Sequence, residues 1–241
     1  MEIQSTEQSG VLLVDKEPGM TSHDVVAIAR RSLGIKKIGH CGTLDPAATG
    51  LLMLVVGRAT KIQDLLMSED KEYVGTVTLG KTTSTQDAEG DVLVETEVPE
   101  LTAEQVDAAF AEFQGEFEQI PPMVSAIKKD GVPLYKLARQ GKVVKRDPRA
   151  VHVTKYVISR VELPEIDFTV NCSKGFYVRT YAHDIGAKLG CGGHLSALRR
   201  TRSGKFTLER AITVAQLKEG ERKELLGSMV SLAEISLMRG A

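Results

Sequence analysis

Apolar and polar positions along this chain fall into stretches the length of single elements, and they predict strands and helices in a mixed order. Val11–Val14 reads as a short strand. From Ser22 to about Leu33, the residues Val25, Val26, Ala29 and Leu33 share one helix face, with Ser22 placed to cap it. Leu51–Val56 is six apolar residues in succession, long enough for one fully buried strand. Residues 72–80 alternate, with Tyr73, Val77 and Leu79 on one side, and Val92–Glu95 predicts another short strand. Thr102 with Gln105 forms a capping box for a helix ending near Gly115, whose apolar stripe is Val106, Phe110 and Phe113. His152–Leu163 and Ile166–Cys172 predict a hairpin, and the second run leads through a turn into a helix. Thr213 caps a further helix, and a second short apolar helix is expected over Leu225–Leu237.

A chain of 241 residues with 42% apolar content can bury one large core, or one domain with a small appendage. No apolar run approaches the roughly 20 residues of a membrane span. The N-terminus, MEIQSTEQSG, is a polar lead-in without the basic-then-apolar pattern of a signal peptide, so a cytoplasmic protein is expected. Cys41, Cys172 and Cys191 are odd in number and widely spaced, which suits a reducing compartment. Cys191 and His194 make the one metal-like spacing and lack a second pair, so no metal site is expected. Phosphate-cradling glycine motifs are missing as well, which argues against a nucleotide cofactor.

The formal net charge of −1 hides a strong polarity along the chain. Residues 82–127 hold eleven acids and no Lys or Arg, whereas residues 128–160 hold ten bases against Asp130 and Asp147. Residues 28–61 add six bases against Asp45. A charge run is usually a solvated face, but this separation also suits an RNA-facing side and a back that RNA avoids.

The chemistry centres on Gly39–Lys61, GHCGTLDPAATGLLMLVVGRATK. Glycines and a proline punctuate a loop that carries His40 and Asp45 beside the buried run, a common way to present a reactive group. Taken alone, Asp-Pro is an ordinary turn initiator. A second candidate region is PPMVSAIKKDGVPLYKLARQGKVVKR, read as a partly mobile basic hairpin or loop in which Lys128, Lys129, Arg139, Lys142, Lys145 and Arg146 are candidate phosphate contacts and Pro133 and Leu134 pack. Tyr177 and Arg179 lie two apart and would share a face on an extended chain.

The string G-H-C-G-T-L-D-P-A-A-T-G resembles the signature of the TruB family of tRNA pseudouridine synthases. Four further segments agree with that family in order: Lys16, Gly19, Thr21 and Ser22 near the start, with Glu17 where the family has Pro; P-P-M-V-S-A in the basic segment; C-S-K-G-F-Y-V-R-T; and G-G-H-L-S-A-L-R-R. The resemblance covers roughly residues 10–210. It implies an α+β pseudouridine synthase catalytic fold, a mixed, largely antiparallel sheet flanked by helices and loops. The catalytic domain would be residues 1–210 with an RNA-covering insertion at about 121–149. Residues 211–241 would form a short helical extension, the chain stopping before the C-terminal RNA-binding domain of most bacterial members.

The implied reaction isomerises uridine to pseudouridine at position 55, in the TΨC loop of tRNA, without metal or cofactor and as a monomer. Asp45 would be the nucleophile and Arg179 the cation that keeps it ionised. Tyr73, otherwise a core tyrosine, would stack on the base and serve as a late base. Tyr177 would offer a second aromatic face, His40 would fill the gap left by the flipped nucleotide, and Leu198 would lie beside the site. Lys16, Arg199 and Arg200 join the substrate-binding set. An RNA-binding module without turnover, or a synthase acting on another RNA, remains as an alternative.

Overall fold

The computed structural model describes residues 8–240, so most of the N-terminal lead-in lies outside the described residues. The chain forms two compact units, one containing the chain up to Tyr73 and from Arg199 onward, the other running from Val74 to Leu198.

The first unit begins with strand β1 (Gly10–Lys16), helix α1 (Ser22–Leu33), strands β2 (Ile38–Cys41) and β3 (Thr49–Val56), and a short helix α2 (Gln63–Met67). Strand β4 (Lys71–Leu79) then carries the chain into the second unit. The expected apolar run is β3, buried from Gly50 to Val56 and antiparallel to all of β1. Met53–Val56 pairs on its other edge with β2. Hydrogen-bonded on both sides and covered on both faces, β3 has no polar requirement left, which is why an unbroken apolar run encodes it. On α1 the expected face is buried at Val25, Val26, Ala29 and Leu33.

The second unit continues with β5 (Lys81–Thr83), β6 (Val92–Glu95), helix α3 (Ala103–Ala111) and β7 (Gly115–Gln119). After these come β8 (Lys128–Lys129), β9 (Val132–Pro133), helix α4 (Leu134–Ala138), the hairpin of β10 (Arg149–Glu162) and β11 (Glu165–Cys172), and helix α5 (Val178–Lys188). Within this unit β10 lies antiparallel to both β11 and β7. Phe110 of α3 and Phe113 just beyond it meet β11 and α5 through aromatic rings: Phe110 lies 5.7 Å from Phe168 and from Tyr181, and Phe113 5.8 Å from Tyr181. Each such pair adds about 0.5–1.5 kcal/mol beyond area burial. Helix α3 ends at Ala111, short of the Gly115 expected, and Gly115 instead opens β7, a strand the sequence reading missed. Chain reversal there brings Phe117 to 5.4 Å from Phe113, adding to the same cluster.

Strand β12 (Gly193–Ser203) returns to the first unit, followed by β13 (Phe206–Thr207), β14 (Ile212–Thr213), helices α6 (Val214–Glu219) and α7 (Arg222–Gly227), β15 (Val230–Ser231) and helix α8 (Leu232–Arg239). Thr213 caps α6 as expected. The single helix expected over Leu225–Leu237 is broken, because Val230 and Ser231 pair with Val11 and Gly10, and Ser231 then caps α8. Strand β14 pairs with Val14 and Asp15, so two short strands of the C-terminal segment share the outer edge of β1 and close it. The architecture is the expected α+β, with mostly antiparallel pairing. No helix among the described residues is long and apolar enough to cross a membrane.

Candidate active site

The loop between β2 and β3 carries Asp45, and the first unit fixes it from three sides. Asp45 and Pro46 occupy the first two positions of a turn closed by the Ala48 N–H donating to the Asp45 carbonyl at 3.1 Å, the placement both residue types favour. The Pro46 carbonyl accepts from the Gly19 N–H at 2.9 Å and from the Lys16 ammonium at 3.0 Å. Lys16 is fully buried and also donates to the carbonyls of Glu17 and Met20, at 2.9 and 2.8 Å. An ammonium among carbonyl oxygens is compensated by ion–dipole contacts in place of water. Lys16 therefore ties the turn before α1 to the Asp45 loop, and it has no exposed surface.

Ser22 gives the second fixation. Its hydroxyl accepts from the Leu44 N–H at 2.9 Å and donates to the Leu44 carbonyl at 3.1 Å, satisfying both backbone groups of the residue before Asp45. The helix cap expected of Ser22 belongs to Thr21, which forms a capping box with Asp24. That one-residue shift turns the Ser22 side chain inward.

The third is Arg200, whose guanidinium donates from Nε to the Leu51 carbonyl at 2.7 Å and from Nη2 to the Gly42 carbonyl at 3.1 Å, holding both ends of the loop. Arg200, which the resemblance placed in the substrate-binding set, is 1% exposed. Its backbone pairs with Gly50, and a Cβ at Gly50 would lie 2.3 Å from the Arg200 carbonyl oxygen; with φ of +95°, only glycine fits there. A Cβ at Gly42 would come 3.2 Å from Arg200 Nη1. Two of the three glycines of the signature, Gly42 and Gly50, thus make room for one buried arginine. Arg199, its neighbour on β12, points to the other face and forms a bidentate pair with Asp15 at 3.0 and 2.7 Å.

His40, at the end of β2, is half-buried and meets the exposed His23 ring edge-on at 5.0 Å. Burial, aided by His23 and Arg200, pushes its pKa down to about 4, so the imidazole is neutral at physiological pH. Tyr73 lies on β4 and is 8% exposed, on the inward side the alternation predicted.

In the second unit, Arg179 sits in the first turn of α5, while Tyr177 precedes it in extended conformation. The two therefore do not share a strand face, because the helix starts between them. Arg179 is buried and donates to the carbonyls of Thr85 and Val124 at 3.0 and 2.7 Å, with Nε 3.6 Å from the Asp87 carboxylate. Asp87 was not singled out from the sequence. Tyr177 is held at its backbone by the Gln119 side chain, which accepts from its N–H at 2.8 Å and donates to its carbonyl at 3.0 Å. Leu198 is half-buried on β12.

The basic insertion folds as the short β8–β9 hairpin followed by α4, with Leu134 packed inward as expected. Lys129 donates to the Lys145 carbonyl at 2.7 Å and Arg146 to the Pro121 carbonyl at 3.2 Å, so these two bases also hold the insertion together. Lys128 and Lys145 are exposed. These residues and Arg149 line a cleft of about 260 Å³.

Comparisons with known proteins agree with these motifs. Residues 30–178 match the TruB family pseudouridylate synthase N-terminal domain, and residues 179–236 match the tRNA pseudouridylate synthase B C-terminal domain. A tRNA pseudouridine synthase B from Opitutus terrae is 56% identical over 208 residues, covering 86% of this chain and 86% of its own. Another from Syntrophotalea carbinolica is 50% identical over 229 residues, covering 94% of this chain and 74% of its own. A chain in the crystal structure of a Cbf5–Nop10–Gar1 complex matches with TM-score 0.74 and 30% identity over 99% of this chain, which spans 64% of that one. A chain in an H/ACA RNP bound to a substrate RNA containing 2′-deoxyuridine matches with TM-score 0.67 and 30% identity over 91% of this chain, which spans 55% of it. The chain belongs to the TruB family of pseudouridylate synthases.

Proposed function

We propose that this enzyme converts uridine to pseudouridine at position 55, in the TΨC loop of tRNA, with Asp45 as nucleophile. The observation that carries the reading is the fixation of the Asp45 loop by Lys16, Ser22 and Arg200, which spends buried polar groups on holding one carboxylate-bearing turn. A nucleophile held in place before substrate arrives avoids the entropic cost of positioning it during reaction. The names of the relatives, tRNA pseudouridine synthase B, support tRNA as the substrate.

In this reading the Asp45 carboxylate displaces uracil from C1′, the freed base turns, and C5 bonds to C1′ as Asp45 leaves. C5 then gives up its proton, while N1, no longer glycosylated, takes one up, so the reaction is an isomerisation. Arg179 keeps Asp45 ionised through favourable charge. Tyr73 and Tyr177 offer faces to the flipped base, with Tyr73 also taking the C5 proton, and Leu198 lines the site. His40, neutral in the fold, fills the gap the nucleotide leaves. Lys128, Lys129, Arg146 and Arg199 contact phosphates, and the enzyme acts as a cytoplasmic monomer.

The test uses unmodified tRNA transcript tritiated at C5 of uridine. Release of one equivalent, mapped to position 55, is the expected result. Release mapped elsewhere favours another RNA target, and tight binding without release favours a binding module.

A further inference from the structure

The outer strand of the β5–β6 hairpin carries a surface to which the proposed reaction assigns no role. Its outer strand reads Val92-Leu93-Val94-Glu95, and the three apolar side chains are 54%, 65% and 56% exposed. Among the described residues β6 pairs with β5 alone, so its other edge has no strand beside it. Such an edge is a template for pairing, and proteins normally blunt it with charge. Strand β7, which among the described residues pairs with β10 alone, does so with Glu116 and Glu118. Strand β6 instead places three apolar residues together.

Charge confines what can cover this edge. Glu89, Asp91, Glu95, Glu97 and Glu100 are all exposed around it. Lys81, the single base between residues 81 and 100, is paired with Glu95 at 3.0 Å. A polyanion such as RNA is repelled by this collar, and two copies pairing edge to edge would bring Asp91, Glu95 and Glu97 against their own kind. The complementary occupant is an extended segment combining apolar residues with Lys or Arg. We propose that β6 is a docking edge at which a partner protein adds a basic, apolar strand, main-chain bonds supplying affinity and the acid collar selecting charge.

The experiment titrates the ¹⁵N-labelled full chain with a synthetic peptide of alternating lysine and valine, against a control peptide with glutamate for lysine. The proposal predicts saturable amide shifts and slowed exchange confined to residues 91–97, weaker at high salt and absent with the control peptide. Leu93→Lys and Glu97→Lys should each weaken binding by about fivefold or more, while uridine isomerisation continues. Two variants acting through different chemistry guard against a local folding defect. The proposal is overturned by three outcomes: no shift at residues 91–97 with millimolar peptide, equal binding of the glutamate peptide, or shifts in this segment produced by tRNA or by raising the protein's own concentration.

Discussion

Lys16, with no exposed surface, donates its ammonium to the Pro46 carbonyl at 3.0 Å, one peptide beyond Asp45. Through this contact the turn before α1 acts on the Asp45 loop across thirty positions of sequence. The Lys16, Gly19 and Ser22 motif and the Asp45 motif are therefore one structural assembly, because Lys16 and Gly19 share the Pro46 carbonyl and Ser22 takes Leu44.

Replacing Lys16 by Met keeps the length of the side chain and removes its donors. Three part-buried carbonyls would lose a partner, at a cost on the order of 3 kcal/mol after relaxation. A lower urea midpoint is expected, with a fall in the rate of isomerisation larger than the fall in tRNA affinity, as read by single-turnover kinetics and filter binding.

Gly50→Ala should be far worse than Gly42→Ala. At Gly50 the new methyl would lie 2.3 Å from the backbone oxygen of Arg200, which cannot move without breaking the β3–β12 pairing. At Gly42 the obstacle is a side-chain guanidinium nitrogen at 3.2 Å, which need give way by only a few tenths of an ångström. Both carry positive φ, so each is strained by about 1–2 kcal/mol, and the clash adds to the first. Thermal melts of the two variants should rank in that order.

His40 gives the fold a pH dependence with a defined sign. Its folded pKa is pushed down to about 4 from 6.5, so between these values the unfolded chain binds more protons than the folded one. Stability contributed by neutral His40 is complete above about 6.5, falls as pH drops through the window, and levels off below about 4. In His40→Gln the difference in denaturation midpoint between pH 7 and pH 5 should shrink relative to the parent chain.

Salt separates the two roles of the basic insertion. Neutralising the exposed Lys128 and Lys145 should flatten the slope of log affinity against log salt, by about one unit per lost phosphate contact, with little effect on stability. Neutralising Lys129 and Arg146 should do the same and also lower the melting temperature, because they donate to the carbonyls of Lys145 and Pro121.

Much of this arrangement was legible because burial leaves a periodic mark. The run Leu51–Val56 is imposed by burial of both strand faces, the α1 face and the alternation around Tyr73 by burial of one, and each lies where its pattern indicated. Arg200 was harder, since a pair of arginines looks like surface. The signal was present, because on a strand neighbouring side chains take opposite faces, and Arg199 and Arg200 do so. Helix starts were less readable: one residue of shift from Ser22 to Thr21 turned a cap into a loop clamp, and α5 beginning at Val178 separated Tyr177 from Arg179. The break at Val230–Ser231 was invisible locally, as it depends on pairing with Gly10 and Val11 more than two hundred residues away.

The central claim is that the held carboxylate of Asp45 is the nucleophile, and Asp45→Asn tests it most directly. The substitution keeps size and turn geometry while removing the nucleophile's charge. Single-turnover tritium release from C5-labelled tRNA should fall to background, with tRNA affinity within about twofold of the parent chain. Pseudouridine formed by this variant at more than a trace of the parent rate would contradict the account.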